Sequence, residues 1–269
     1  MNAQITPPVR RSRALLLGLL LLCLAAAPSF SQQLLVDPLW DSVAFGASAL
    51  LAGGSELFMS YVTPPDLGGV DLSQVNAFDR AAMFTYSHGI DTASTILELA
   101  TFALPVALIF LLPQDQWLGA AVVYGEVMGS ADFMKNSLKY LLPRYRPYMY
   151  PGGTDNGSPS DTDWYASFPS GHATMSFAAA TFGSVLFATY YPSSPYLVPV
   201  IVANYALATL TGSFRVFAGQ HFMTDVIAGA AIGAACGYLV PLLHQSSTWS
   251  GAGAGKGIRV EIPVASFSY

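Results

Sequence analysis

Three groups of residues in this 269-residue chain have types and spacings suited to handling an oxyanion. Lys139 and Arg146 bracket a short stretch, with Pro147 directly after it. Pro143 and Pro147 cannot continue a helix, so a helix must end there and run into a stiff loop. Two cations are thereby fixed near one spot, and the guanidinium of Arg146 offers a planar fork to an oxyanion. Next, Pro169-Ser170-Gly171-His172 stands immediately before an apolar run. Ser170 can cap the helix that follows, and Gly171 lets the backbone approach a ligand. The N–H groups of that first turn, with the helix dipole, make an anion site. His172 would stand beside the anion with a proton to give. The third group is Arg215, His221 and Asp225. His221 and Asp225 are four apart and share a face if helical. A carboxylate on one imidazole nitrogen would fix the tautomer and leave the other nitrogen free to attack.

Taken singly, each piece has a bland explanation. A lone His172 is more often a helix-cap residue, and a lone His–Asp pair a structural hydrogen bond. A lone Lys139 most often snorkels toward the interface. Together they fall on one side of a set of apolar segments. No segment separates Lys139 from His172, and two separate His172 from Arg215. Three cations, two histidines and one carboxylate converging on a helix N-terminus form an arrangement for phosphoryl transfer. Lys135 and Arg144, also near segment mouths, are expected to snorkel. Glu98, Glu126 and Asp132 have no assigned role, and Glu98 is expected to make a polar contact inside the bundle.

The elements that must position these groups are written in the composition. Apolar residues make up 53% of the chain and charged residues 10%, far below the charged share of a soluble domain. Disorder and coiled coil are thereby excluded. The net charge of −5 argues against a nucleic-acid partner. The two cysteines, Cys23 and Cys236, both lie in apolar runs and support neither a disulfide framework nor a cysteine metal site. Arg10, Arg11 and Arg13 precede an apolar run from Ala14 to Ala27, so residues 1–31 read as a signal peptide or an N-terminal anchor. Residues 32–91 hold an apolar stretch, Ser42 to Val62, and an acidic extracytoplasmic loop. Residues 92–244 carry five further apolar segments: Thr92 to Leu112, Trp117 to Met134, Ala173 to Tyr191, Tyr196 to Thr211 and Val226 to Leu243. Each is close to the ~20 residues that cross a bilayer. Short links between them predict antiparallel neighbours. The fold expected is all-α, a multi-span helical membrane bundle of five or six apolar helices with the active site at the helix mouths.

Gly229, Gly233 and Gly237 lay a smooth strip along the last helix, suited to packing within the bundle or to a homodimer. Residues 245–269 form a tail whose Ile258 to Val264 alternation allows a short strand. Gly53, Gly54 and Glu56 weaken Ser42 to Val62 as a span. Without that span the site faces the exterior and Lys256 and Arg259 stay in the cytoplasm, in accord with the positive-inside tendency.

The three groups resemble the pattern of the type 2 phosphatidic acid phosphatase superfamily, which also includes vanadium haloperoxidases and bacterial class A acid phosphatases. Its first part, Lys-x6-Arg-Pro, is matched by Lys139 and Arg146-Pro147. Its second, Pro-Ser-Gly-His, is matched by Pro169 to His172. Its third, Ser-Arg-x5-His-x3-Asp, is matched by Arg215, His221 and Asp225, with Phe214 where Ser often stands. Three motifs in order at the right spacing are specific, and the flanking helices fit the membrane branch. The resemblance implies that His221 is the nucleophile, Asp225 orients it and His172 is the general acid. It implies that Lys139, Arg146, Ser170, Gly171 and Arg215 hold the phosphate. It implies no metal and no cofactor, and a lipid phosphate monoester or diphosphate as substrate among membrane lipids. The alternatives on the same pocket are a vanadate-dependent haloperoxidase and a soluble-type acid phosphatase. A transporter or membrane scaffold is a further class, disfavoured by the complete motifs.

Overall fold

The computed structural model describes residues 35–36, 40–61, 69–154, 163–244 and 258–259. Six long helices dominate it: α1 (Trp40–Tyr61), α2 (His88–Ile109), α3 (Trp117–Leu141), α4 (Gly171–Tyr190), α5 (Leu197–Phe217) and α6 (Met223–Leu243). The five apolar segments after residue 91 correspond to α2–α6. Among the described residues, five helices are long and apolar enough to cross a membrane, namely α1, α2, α4, α5 and α6. Helix α3 is as long but carries Glu126, Asp132, Lys135 and Lys139. The chain is a multi-span helical membrane bundle. The expected leader or anchor, residues 1–31, lies outside the described residues. In the tail, Ile258–Arg259 pairs antiparallel with Leu35–Val36.

Helix α4 is the central one. Two-thirds (67%) of its apolar window is buried, against 22% or less for the other four spans. It can sit there because much of its surface is Ala, Ser, Thr and Gly, which let neighbouring backbones approach. Phe182 and Leu186 of α4 join Ile109, Val123, Val127 and Ala131 in the main apolar core.

The glycine strip of α6 faces α4. A Cβ on Gly229 would lie 2.6 Å from the Ser170 carbonyl oxygen, one on Gly233 2.0 Å from that of Thr174, and one on Gly237 2.5 Å from that of Ala178. This corrects the homodimer expectation: the Gly229/Gly233/Gly237 face is filled by α4 of the same chain and cannot take a second one. Gly233→Ala is expected to cost about 1–3 kcal/mol by overpacking, read as a lowered thermal midpoint in detergent. Gly46→Ala, where nothing lies within 4 Å, serves as the silent control.

Helix α1 covers Ser42 to Tyr61 of the ambiguous stretch Ser42 to Val62. Despite Gly53, Gly54 and Glu56, it is a continuous 22-residue helix long and apolar enough to span. It packs on α3 through Phe45 against Gly125 and Ser48 against Gly129. Val43, Leu50, Leu51, Leu57 and Phe58 stay exposed, as they can where the surroundings are acyl chains. Glu56 weakens the span less than expected because it pairs with Lys135 Nζ at 2.7 Å.

Candidate active site

The three motif groups meet at one end of the bundle. Lys139 is in the last turn of α3. After Leu141 the chain breaks at Pro143, and Arg144 and Arg146 are held by backbone bonds to the carbonyls of Tyr165 (2.7 Å) and Trp164 (2.9 Å). Ser170 is the N-cap of α4, accepting a long bond from the Ala173 N–H at 3.4 Å. A Cβ on Gly171 would make ordinary contact with the Lys135 stem at 3.5 Å. Arg215 lies in the last turn of α5. Gly219 then takes a positive φ of 69°, and a Cβ there would strike the Phe84 carbonyl. That left-handed residue ends the helix and folds Gln220 and His221 back, so that both their N–H groups reach the Arg215 carbonyl, at 3.1 and 3.3 Å. The five-residue gap between Arg215 and His221 is the length of this turn.

His221 is buried, at 2% exposure. Its Nδ1 donates to the Ser167 carbonyl at 2.7 Å. A carbonyl only accepts, so Nδ1 carries the proton and Nε2 keeps its lone pair. The expectation that a carboxylate would sit on this nitrogen is corrected. Asp225 Oδ2 lies 3.8 Å away, because it already accepts from Ser167 Oγ (2.6 Å) and the Phe222 N–H (2.9 Å). Asp225 therefore holds His221 through the Ser167 segment rather than by direct contact. Its other oxygen pairs with Arg144 Nη1 at 2.6 Å.

Arg144 and Lys135 do not snorkel. Arg144 also bonds Asp79 Oδ2 at 2.8 Å and lies 4.0 Å from the centre of the Phe222 ring. It ties the loop before α2 to the first turn of α6, where Asp79 also accepts from the Thr224 N–H and Oγ. Lys135 is buried between Glu56 and Asp132, both at 2.7 Å. Each had a carboxylate within reach across the bundle, which removes the need to reach for water.

The phosphate-suited cations have carboxylate partners too. Arg146 pairs with Asp163 and bonds Gln220. Lys139 lies 3.6 Å from the same Asp163. Arg215 pairs with Asp91 and donates to Ser94 at 3.1 Å. Its buried Nε has no hydrogen-bond partner among the described residues, and so can still donate to an anion. Burial raises the Asp163 carboxyl, but Arg146 and Lys139 outweigh this and hold it below its usual value. His172 Nε2 lies 3.2 Å from Thr95 Oγ1 and 3.4 Å from Glu98 Oε2. Glu98 thus makes a bundle-interior contact, and its partner is the candidate acid.

Burial first, then the charges of Arg146, Arg215 and Lys139, push His221 well below the usual imidazole value. It is therefore neutral in the folded state. A depressed folded pKa contributes stability that is fully present above the unfolded value of ~6.5 and is lost as pH falls from there toward the folded one. The thermal midpoint is expected to fall between pH 7.5 and pH 5, and to fall less in His221→Asn. An equal drop in both would show that His221 is not the group responsible.

Residues 120–249 match the family model described as the PAP2 superfamily. Over 107 residues it is 36% identical to a lipid A 1-phosphatase of Porphyromonas gingivalis, covering 39% of this chain and 20% of that protein. Over 120 residues it is 34% identical to a lipid A 1-phosphatase of Rhizobium johnstonii, covering 44% of each. The chain thus spans less than half the length of these relatives. A solved structure, the transmembrane PAP2-type phosphatidylglycerolphosphate phosphatase of Bacillus subtilis, is 20% identical. It aligns with a TM-score of 0.48 over 76% of this chain and 94% of that one.

Proposed function

We propose that this chain is an integral membrane phosphatase that hydrolyses a lipid phosphate through a phosphohistidine at His221. The observation that carries the reading is the Nδ1–H of a buried His221 fixed on the Ser167 carbonyl, with the charges of three cations close by. His221 Nε2 attacks phosphorus, forming the P–N bond as the bond to the leaving alcohol breaks. His172 gives the leaving oxygen its proton. Water then attacks the phosphohistidine, His172 takes a proton from it, and inorganic phosphate leaves with Nε2 free again. Lys139, Arg146 and Arg215, with Ser170 and the Gly171 backbone, hold the phosphoryl oxygens and balance the charge that builds on them. Asp225, 3.8 Å from Nδ1, stabilises the cationic imidazole of the intermediate.

The substrate class is argued from the bundle. An apolar groove of about 420 Å³ runs between α1 and α3, lined by Leu50, Leu51, Phe58, Phe133, Tyr140 and Leu141 among others. Its lining includes Tyr140 and Leu141, which follow Lys139 in the chain, and on this reading it takes an acyl chain. The similarity to lipid A 1-phosphatases accords with this. A panel of lipid phosphates and water-soluble phosphomonoesters, given to the purified chain in detergent, tests it. Preference for lipid phosphates is expected. Equal use of soluble esters would favour the soluble-type acid phosphatase reading, and vanadate-dependent halide oxidation the haloperoxidase one.

The chemistry needs no metal on this reading. Three acids at the site are engaged by cations, Asp225 by Arg144, Asp163 by Arg146 and Lys139, Asp91 by Arg215, and Glu98 faces His172. Phosphate release measured at 25 °C should persist in EDTA. Vanadate should inhibit it by mimicking five-coordinate phosphorus. Loss of turnover in EDTA with the protein still folded, and its return with a divalent ion, would refute this.

The site is proposed to face the exterior. With α1 as a span, six helices put Trp40 and Leu243 on one side and the site on the other. The basic residues Arg10, Arg11, Arg13, Lys256 and Arg259 flank the first end and suit the cytoplasm. A cleaved leader or an uncleaved anchor in residues 1–31 would each deliver Trp40 outside and, with α1 as a span, turn the site to the cytoplasm. Reporter fusions after Leu243 and within 152–163 distinguish the two orientations.

A further inference from the structure

The end of the bundle away from the site holds a second cluster. Asp41 in the first turn of α1, Glu126 in α3 and His244 at the C-cap of α6 each bring one metal-ligating atom to within 4.8 Å of the others. His244 Nε2 lies 2.9 Å from Glu126 Oε2 and 3.4 Å from Asp41 Oδ1. Its other nitrogen, Nδ1, faces the Val240 carbonyl at 2.8 Å and must be the protonated one. Glu126, only 4% exposed, leaves Oε1 with no hydrogen-bond partner among the described residues, and Asp41, 9% exposed, leaves Oδ2 likewise.

Protonating His244 does not settle this arrangement. It supplies one N–H, from Nε2, to two carboxylates. A net negative charge and two unpartnered oxygens then remain buried, which is costly. A divalent cation would satisfy all three groups. The neutral imidazole offers its Nε2 lone pair, each carboxylate offers an oxygen, and the charges cancel. The Nδ1–H bond to a backbone carbonyl is the outer contact that orients a metal-bound histidine. Contacts of 2.9 and 3.4 Å bracket the ~3.3 Å expected between ligands about 2.0–2.1 Å from a tetrahedral Zn2+.

We propose that Asp41, Glu126 and His244 bind one divalent metal ion, with Zn2+ the best match to this one-nitrogen, two-oxygen set, and that the ion staples α1 to α3 and α6. Helix α1 needs such a staple, because Asp41 and Ser48 are its only buried residues. Its other end is held by polar contacts as well, Glu56 with Lys135 and Ser55 with Asn136. The metal is not part of the phosphate chemistry. Asp225 and His244 lie at opposite ends of α6, about 30 Å apart at 1.5 Å per residue.

The test uses the full chain, purified in detergent without a polyhistidine tag and stripped with EDTA. Zn2+ is returned, bound metal is counted by elemental analysis, and thermal unfolding is followed. About one Zn2+ per chain is expected, with the midpoint rising about 5–10 °C at metal a hundredfold above Kd. Glu126→Gln and His244→Ala should each lose the metal and the shift. Should either fail to fold, Asp41→Asn at the bundle edge provides the same comparison. Co2+ gives a separate readout, since a three-ligand protein site with one nitrogen should show visible absorption that His244→Ala removes. A stripped wild-type chain that takes up no Zn2+, or variants that bind it unchanged, would overturn the proposal. Either result leaves the phosphatase reading untouched, because turnover is assayed separately.

Discussion

His221→Ala is expected to abolish turnover of every phosphate ester the wild-type chain hydrolyses, with a loss on the order of 10⁴-fold or more, as for removal of a covalent nucleophile. The side chain is buried with Nδ1 fixed on the Ser167 carbonyl, which leaves Nε2 its lone pair. Removing it leaves a pocket that still holds phosphate. Inorganic phosphate or vanadate should therefore continue to protect the variant against unfolding while catalysis is gone. Retained turnover within a few fold of wild type would remove His221 from its role. Loss of both turnover and anion protection would mean that the substitution had disrupted the site rather than the chemistry.

The second large effect belongs to His172. As the acid for the leaving alcohol it should be worth about 10²–10⁴-fold, and the loss should depend on the leaving group. A lipid alkoxide needs the proton, whereas a phenolate such as p-nitrophenolate leaves without it. His172→Ala should thus lose far more activity on an alkyl phosphate than on the aryl ester. Glu98, 3.4 Å from His172 Nε2, and Thr95, at 3.2 Å, bear on one nitrogen and leave Nδ1 to deliver the proton. Glu98→Gln should show the same leaving-group dependence in weaker form. Equal losses on both esters would make His172 a phosphate-binding residue instead.

The site was legible in the sequence to the extent that its parts were local. A cation before a proline break, a Ser-Gly pair before an apolar run and a histidine a fixed distance past an arginine are properties of neighbouring residues. They identified the residues that the fold brings together from α3, α4, α5 and α6. Contacts across the bundle were not legible. The carbonyl on His221 Nδ1 comes from Ser167, 54 positions earlier, and the carboxylate on Arg215 comes from Asp91, 124 positions away. Spacing on one helix instead suggested Asp225 as the direct partner. The same gap explains Arg144 and Lys135. Beside an apolar run, a cation with no visible partner is expected to reach for water, whereas here Asp79, Asp225, Glu56 and Asp132 come to meet them. Whether α1 suits a span was not legible either, because Glu56 counts against one only while unpaired, and its partner Lys135 is 79 positions away. The glycine strip of α6 was read correctly as a close-packing face, but which neighbour fills it depends on helix order in space, which a period of four residues does not contain.

The central claim is a covalent phosphohistidine on His221, and rapid quenching tests it most directly. The purified chain is mixed with lipid phosphate labelled at phosphorus, stopped within milliseconds in alkali and digested. Label on the peptide bearing His221, stable to alkali, released by acid and absent from His221→Ala, is the predicted result. Full turnover with no protein-bound label at any time, or label on a residue other than His221, would contradict it.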